Sequence, residues 1–236
     1  MRSHKALIMM LPVYLLVLGG FVIGGLHFSE SVTTLAESAP LTERKCVIVD
    51  AGHGGVDGGA TSCTGILESK LNLDVAKRVN DLLHLLGVST KMIRTEDISI
   101  YTTGETIAAK KISDLKERVK IVNNTDNGIL ISIHMNHYSE SKYYGPQVFY
   151  AQTCDSKEFA NTMQLSLKHF LDPNSKRSIK KSDGIYLMEH IETTGILIEC
   201  GFLSNPQEES KLRNSEYQKT LAAVIAATTA SYLHGT

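Results

Sequence analysis

Residues 46–59 read C-V-I-V-D-A-G-H-G-G-V-D-G-G, and this stretch decides the fold. Val47, Ile48 and Val49 are a short β-branched apolar run, predicted to be a buried strand that ends at Asp50. Gly52, Gly54, Gly55, Gly58 and Gly59 follow. Glycines at that density add nothing to a core. They let the backbone bend sharply or approach a ligand closely. The turn carries His53 and Asp57. A strand that ends in such a turn is where an open α/β sheet places its chemistry.

Working outward, Glu68 is expected to open a helix. Leu71, Val75, Val79, Leu82, Leu83 and Leu86 recur at helical spacing and Gly87 ends it. Residues 88–93 read as a second strand, closed by Arg94, and the polar stretch 95–112 as a loop. Ser113 and Asp114 are expected to start a helix with Leu115, Val119 and Val122 on one face, Arg118 facing solvent. Residues 129–133 (I-L-I-S-I) are a third strand, with His134, Asn136 and His137 at its end. Residues 147–151 are a fourth. Asp155 and Glu158 have capping-box spacing before a helix expected to bury Phe159, Met163, Leu167 and Phe170. Residues 176–181 form a basic loop and 183–188 a short extended piece. Residues 196–198 are another buried strand, ending at Glu199. Asn205 and Pro206 cap a short helix, and 216–233 is an amphipathic one. Strands alternating with helices imply an α/β fold, a single twisted and mainly parallel sheet flanked by helices.

The N-terminal end has a different character. Residues 6–26 carry no charged side chain and follow Arg2 and Lys5. A bilayer span needs about 20 residues, and the basic flank keeps the N-terminus inside and exports the rest. Residues 1–27 are therefore expected to be a membrane anchor or a cleaved signal, 28–44 a Ser/Thr/Glu-rich linker, and 45–236 the folded domain. A formal net charge of −1 gives no argument for a nucleic-acid partner. Cys46, Cys63, Cys154 and Cys200 fit no C-x-x-C zinc spacing. Cys46 and Cys200 are expected as buried free thiols.

Three predicted strands end in ionisable residues: Asp50 with His53, His134, and Glu199. Strand ends on one edge of a parallel sheet converge, and Glu68 leaves the same edge. Two imidazoles and a carboxylate are the ligand set of a catalytic zinc with an open fourth position. A second carboxylate can then act as general base. Taken singly, each of these residues also has a structural reading: a hydrogen-bonded strand-end histidine, or an acid favoured at a helix N-terminus. Glu199 resists that reading, because a carboxylate so close to a core needs a partner.

D-A-G-H-G-G-V-D-G-G (50–59), the Glu68 opening E-S-K-L-N-L, S-I-H-M-N (132–136) and I-E-C-G-F-L-S-N (198–205) occur in this order. Together they resemble the zinc-dependent N-acetylmuramoyl-L-alanine amidases of the amidase-3 family, from Cys46 to the C-terminus. Within the family the chain is most similar to the germination-specific amidases of sporulation, on its single N-terminal apolar segment, bare catalytic domain and D-G-I-Y-L-M (183–188). The resemblance implies one Zn2+ per chain on His53, Glu68 and His134, with Glu199 as catalytic carboxylate. It implies hydrolysis of the amide between N-acetylmuramic acid and L-alanine in peptidoglycan, and a role in making the muramic δ-lactam of spore cortex. Ala51 and Cys200 depart from the usual proline and apolar residue. With no wall-binding repeat, targeting is expected from the N-terminal segment or a protein partner. Only 135–146 separates His134 from the next strand, too short for the long blocking helix of some relatives. Asn136 and Arg94 are candidate substrate contacts, the former for the scissile carbonyl oxygen or else to orient His134, the latter for a stem-peptide carboxylate. Two rivals stand beside this reading. A zinc peptidase or deacetylase uses the same metal and base, whereas a non-catalytic wall-binding module needs no carboxylate beyond the ligands.

Overall fold

The computed structural model describes residues 45–235. The expected anchor or signal (1–27) and linker (28–44) lie outside the described residues. Six strands form one sheet in the order β2-β1-β3-β6-β4-β5. They are β1 (Cys46–Ala51), β2 (Ser89–Met92), β3 (Gly128–Asn136), β4 (Gln147–Tyr150), β5 (Lys180–Lys181) and β6 (Thr194–Phe202). β2, β1, β3 and β6 run parallel, whereas β4 is antiparallel to β6. The sheet is mainly parallel, as its near-continuous apolar strands require.

Six helices cover it: α1 (Glu68–Leu85), α2 (Ile107–Asn123), α3 (Ser156–Leu171), α4 (Tyr186–His190), α5 (Pro206–Arg213) and α6 (Ser215–Gly235). Alternate residues of the central strands face opposite layers. Val47, Val49, Ile131, Ile133, Ile196 and Ile198 join Leu71, Val75 and Val79 of α1, Phe159 and Met163 of α3, and Ile225 of α6. Ile48, Leu130 and Leu197 face the other way, onto Val122 of α2 and Leu187 and Met188 of α4. The result is three layers, helix on sheet on helix.

Several local expectations are corrected. α2 starts at Ile107 rather than at Ser113, capped by the Thr106 side chain on the Ala109 N–H. Its first turns expose Ile107 and Ile112, so no apolar period announces them. Asp155 has φ 61° and makes no side-chain cap, so the capping-box spacing is not used as one. Phe170 is exposed. Residues 183–188, expected extended, instead contribute the start of α4. Asn205 caps α5 as expected, accepting from Gln207 and Glu208 N–H at 2.9 and 3.2 Å. Cys200 is a buried free thiol. Cys46 is only partly buried, and none of the four cysteines is paired.

Candidate active site

The parallel register brings the functional strand ends together. Asp50 pairs with Ser132, and His134 lies directly across from Glu199. At the end of β1 the chain turns through His53, which adopts φ 60°. That conformation is uncommon for a residue with a Cβ and is held only by its surroundings.

Two buried arginines supply the hold. Arg118 of α2 is 2 % exposed. It donates to the His53 carbonyl at 2.7 Å and to the Ala51 carbonyl at 3.0 Å. It also pairs with Asp50 and, at 2.6 Å, with Asp114. Arg94 is equally buried and donates to the carbonyls of Ala51, Gly52, Ser69 and Glu96 at 2.8–3.0 Å. The expected substrate role for Arg94 and the solvated face for Arg118 are thereby corrected. Both guanidiniums are spent beneath the glycine turn, tying it to the start of α1 and to α2.

Glu68, the first residue of α1, lies between the two imidazoles. His134 Nδ1 donates to its Oε1 at 3.0 Å, and His53 Nε2 is 3.3 Å from its Oε2. The same carboxylate accepts the Ala60 and Met135 N–H groups and the Asn72 amide at 2.9–3.2 Å. Burial alone raises its pKa. The hydrogen bonds and charge of His134 and His53 more than reverse this and hold the carboxyl well below the usual range. Burial lowers the His53 pKa, but Asp57 and Glu68 outweigh it and push the imidazole up to about 9. His53 Nδ1 is taken by Asp57 at 2.9 Å, leaving Nε2 toward Glu68. Lys111 of α2 in turn reaches Asp57 at 3.1 Å.

Two glycines make the room. A Cβ at Gly52 would lie 2.2 Å from the His134 ring, and one at Gly59 would lie 2.6 Å from Glu68 Oε2 and 2.8 Å from His53. The donor set fits a divalent metal. One ligand atom each from His53, Glu68 and His134 lie within 4.8 Å of one another, two nitrogens and one oxygen. The Asp57–His53 contact is the carboxylate–imidazole pairing that fixes the orientation of a ligating histidine. Across from His134, Glu199 Oε2 is sealed from solvent and has no hydrogen-bond partner. Burial pushes its pKa up to about 7, with Glu68 adding to the rise and the two histidines opposing it. A carboxyl poised there can take and return a proton. Asn136 ends β3 just past a register shift, its carbonyl accepting from Leu203 N–H at 2.8 Å.

His53, Glu68 and His134 come together, and Glu199 sits across the strand pair from His134. Sequence reasoning did not find Asn72, Lys111 or the role of Arg118. Asn72 had a signal, being one helical turn after Glu68. So did Arg118, since an Asp50 ending a buried strand demands a cation. Lys111 had none, because the helix that presents it carries no apolar period there.

Comparison with known proteins agrees with this geometry. Residues 47–230 match the family described as N-acetylmuramoyl-L-alanine amidase (Amidase_3). The germination-specific N-acetylmuramoyl-L-alanine amidase of Bacillus subtilis (strain 168) is 37% identical over 201 residues, covering 84% of each chain. The structure of the CwlD amidase from Clostridioides difficile, solved in complex with the GerS lipoprotein, superposes with a TM-score of 0.78. It is 36% identical and covers 82% of this chain and 100% of that one. An N-acetylmuramoyl-L-alanine amidase from Clostridium difficile 630 gives a TM-score of 0.71 at 31% identity, covering 82% and 99%. A sheet edge that gathers two histidines and two glutamates, on a sequence matched over nearly the whole folded unit, thus has its place: the chain belongs to the N-acetylmuramoyl-L-alanine amidase family, enzymes of peptidoglycan.

Proposed function

We propose that the chain is a zinc amidase of spore-cortex peptidoglycan, cutting between the lactyl carbonyl of N-acetylmuramic acid and the nitrogen of L-alanine. The observation that carries the reading is the juxtaposition of a two-histidine, one-carboxylate cluster with a partnerless carboxylate oxygen on Glu199. His53, Glu68 and His134 would hold the ion. Zinc bound there supplies a Lewis acid and lowers the pKa of a water to about 7. Glu199 accepts a proton from the attacking water as its oxygen adds to the carbonyl carbon. Glu199 then delivers that proton to the L-alanine nitrogen as the C–N bond breaks. The products are a lactyl carboxylate and a free amine. Asn136, two residues past His134, is assigned as donor to the developing oxyanion.

The freed lactyl carboxylate is the group a muramic δ-lactam ring uses, which fits the likeness to a germination-specific amidase. In this reading the chain is exported, with 1–27 as anchor or signal, 28–44 as linker and 45–236 as catalytic domain. A protein partner belongs to it as well. The similar CwlD amidase was solved with a lipoprotein, and a three-residue metal site with an open position gains from outside support.

The test is metal content and product analysis on one sample of the purified chain. One zinc per chain, with new L-alanine amino termini appearing in cortex peptidoglycan, is the expected outcome. New termini elsewhere in the stem would make the chain a peptidase, and free glucosamine nitrogens would make it a deacetylase. No zinc after metal is supplied would remove the reading.

A further inference from the structure

Past Asn136 the chain runs through residues 137–146 to β4, and this connection carries an unusual row of rings. Tyr138 and Tyr143 meet edge to face, centroids 5.0 Å apart at 87°. Tyr143 lies 6.1 Å from Phe202 at 31°. Phe202 is three residues beyond Glu199 and pairs in register with Asn136. The row therefore begins at the two strand ends that carry His134 and Glu199. Phe202 is buried, but Tyr138 is 50 % and Tyr144 57 % exposed.

The connection is held rather than loose. Tyr138 N–H donates to Ser204 Oγ at 3.1 Å, and Asn205 Nδ2 donates to the Tyr143 carbonyl at 3.1 Å. Arg177 Nε donates to the Tyr144 carbonyl at 2.9 Å, its guanidinium lying 4.7 Å from the Phe202 ring. Single exposed aromatics are ordinary. Here Tyr138 is the exposed end of a row anchored on the buried Phe202 and continuous with the catalytic edge, which leaves its ring open to a ligand.

We propose that Tyr138, braced edge to face by Tyr143, forms a sugar-stacking subsite for a pyranose ring of the glycan strand, next to the muramic acid whose amide is cut. The inference rests on the amidase reading and names what that reading leaves open, namely how the polymer is gripped. A pyranose offers a face of C–H bonds, and an aromatic ring offers a face of negative charge. Tyrosine gives large contact area at low rotamer cost and adds a hydroxyl for sugar oxygens. Lys142 pairs with Glu140 at 2.5 Å and lies 5.3 Å over the Tyr143 ring, so the charges on this connection offset each other and the half-exposed Tyr138 is the ring left for a sugar. The surface is thus suited to the uncharged sugar backbone more than to the anionic stem.

The experiment compares two substrates on the full chain: muramoyl peptide embedded in a long glycan strand, and the single-sugar muramoyl peptide. In wild type, kcat/KM is expected to be higher on the long strand. Tyr138→Ala is expected to reduce the long-to-short ratio of kcat/KM about tenfold, mainly through KM, with Tyr138→Phe keeping most of it. Peptide-free glycan strands titrated calorimetrically are expected to bind wild type and to bind Tyr138→Ala about tenfold more weakly. That arm reads the subsite even where no amide is cut, so its failure is distinct from a failure of the amidase reading. An unchanged ratio, an equal loss on both substrates, or glycan binding indifferent to Tyr138 would each overturn the proposal.

Discussion

Glu199 and Asp57 illustrate how two carboxylates in one site acquire opposite proton affinities from their surroundings. Glu199 has one oxygen buried and unpartnered, and burial lifts its pKa to about 7. Asp57 is tied to His53 at 2.9 Å and to Lys111 at 3.1 Å. Burial raises its pKa, but those two partners dominate and hold it well below the usual carboxylate range. A general base must be able to gain and lose its proton, and a ligand-orienting group must stay ionised. Glu199→Gln keeps shape and removes the proton site, so turnover is expected to fall about 10²–10⁴-fold with zinc content unchanged. Rates near wild type in that variant, with zinc present, would take the proton-transfer role from Glu199. Asp57→Asn loses the charge that fixes His53, and zinc affinity is expected to fall about 10–100-fold. Competition against a chelator of known affinity checks this.

At the scale of elements, the centre of interest is the crossing of β1 with α2. Asp50 is fully buried, and burial alone would raise its pKa. The Arg118 charge and the Ser132 hydroxyl at 2.6 Å outweigh this and lower it. Arg118→Leu leaves Asp50 buried without its cation and releases the His53 carbonyl. Stability is expected to drop by about 3–5 kcal/mol, read from urea unfolding. The pH dependence follows from the direction of the shift. Because the folded carboxyl is more acidic than the unfolded one, its contribution is complete above pH about 4 and is lost as pH falls through the folded pKa. Asp50→Asn is therefore expected to start less stable and to lose less on acidification. An acid limb as steep as wild type would show that other carboxylates govern it. The same crossing explains what could be read in the sequence. β1, β3 and β6 announced themselves through unbroken apolar runs, and the residues closing them were legible as a site. The clamp was not, because a mid-helix arginine has the same appearance whether solvated or buried. Its partner, Asp50, was the visible half of the pair. The start of α2 was hidden for a related reason, since Ile107 and Ile112 face outward there and no period of 3.6 forms.

Across the whole molecule, the cluster proposed to hold the metal draws on three separate pieces of chain: His53 from the turn after β1, Glu68 from the first turn of α1, and His134 from within β3. Sequence separations of this size mean that no such cluster exists in the unfolded chain, so binding energy becomes folding energy. A ligand at about 100 times its dissociation constant stabilises by about 2.7 kcal/mol. For a domain of this size each kcal/mol moves the melting temperature by roughly 2–4 °C. Zinc is thus expected to raise the midpoint by roughly 5–11 °C at that excess, with a chelator reversing it. Glu68→Gln separates this from adventitious binding. The amide keeps much of the packing and weakens the one carboxylate that lies between both imidazoles, so its zinc shift is expected to shrink to a fraction of wild type. A full shift in that variant would locate the stabilising ion elsewhere on the chain. A shift lost in Glu68→Gln but intact in Glu199→Gln would divide the four residues as proposed, three to hold the ion and one to move the proton.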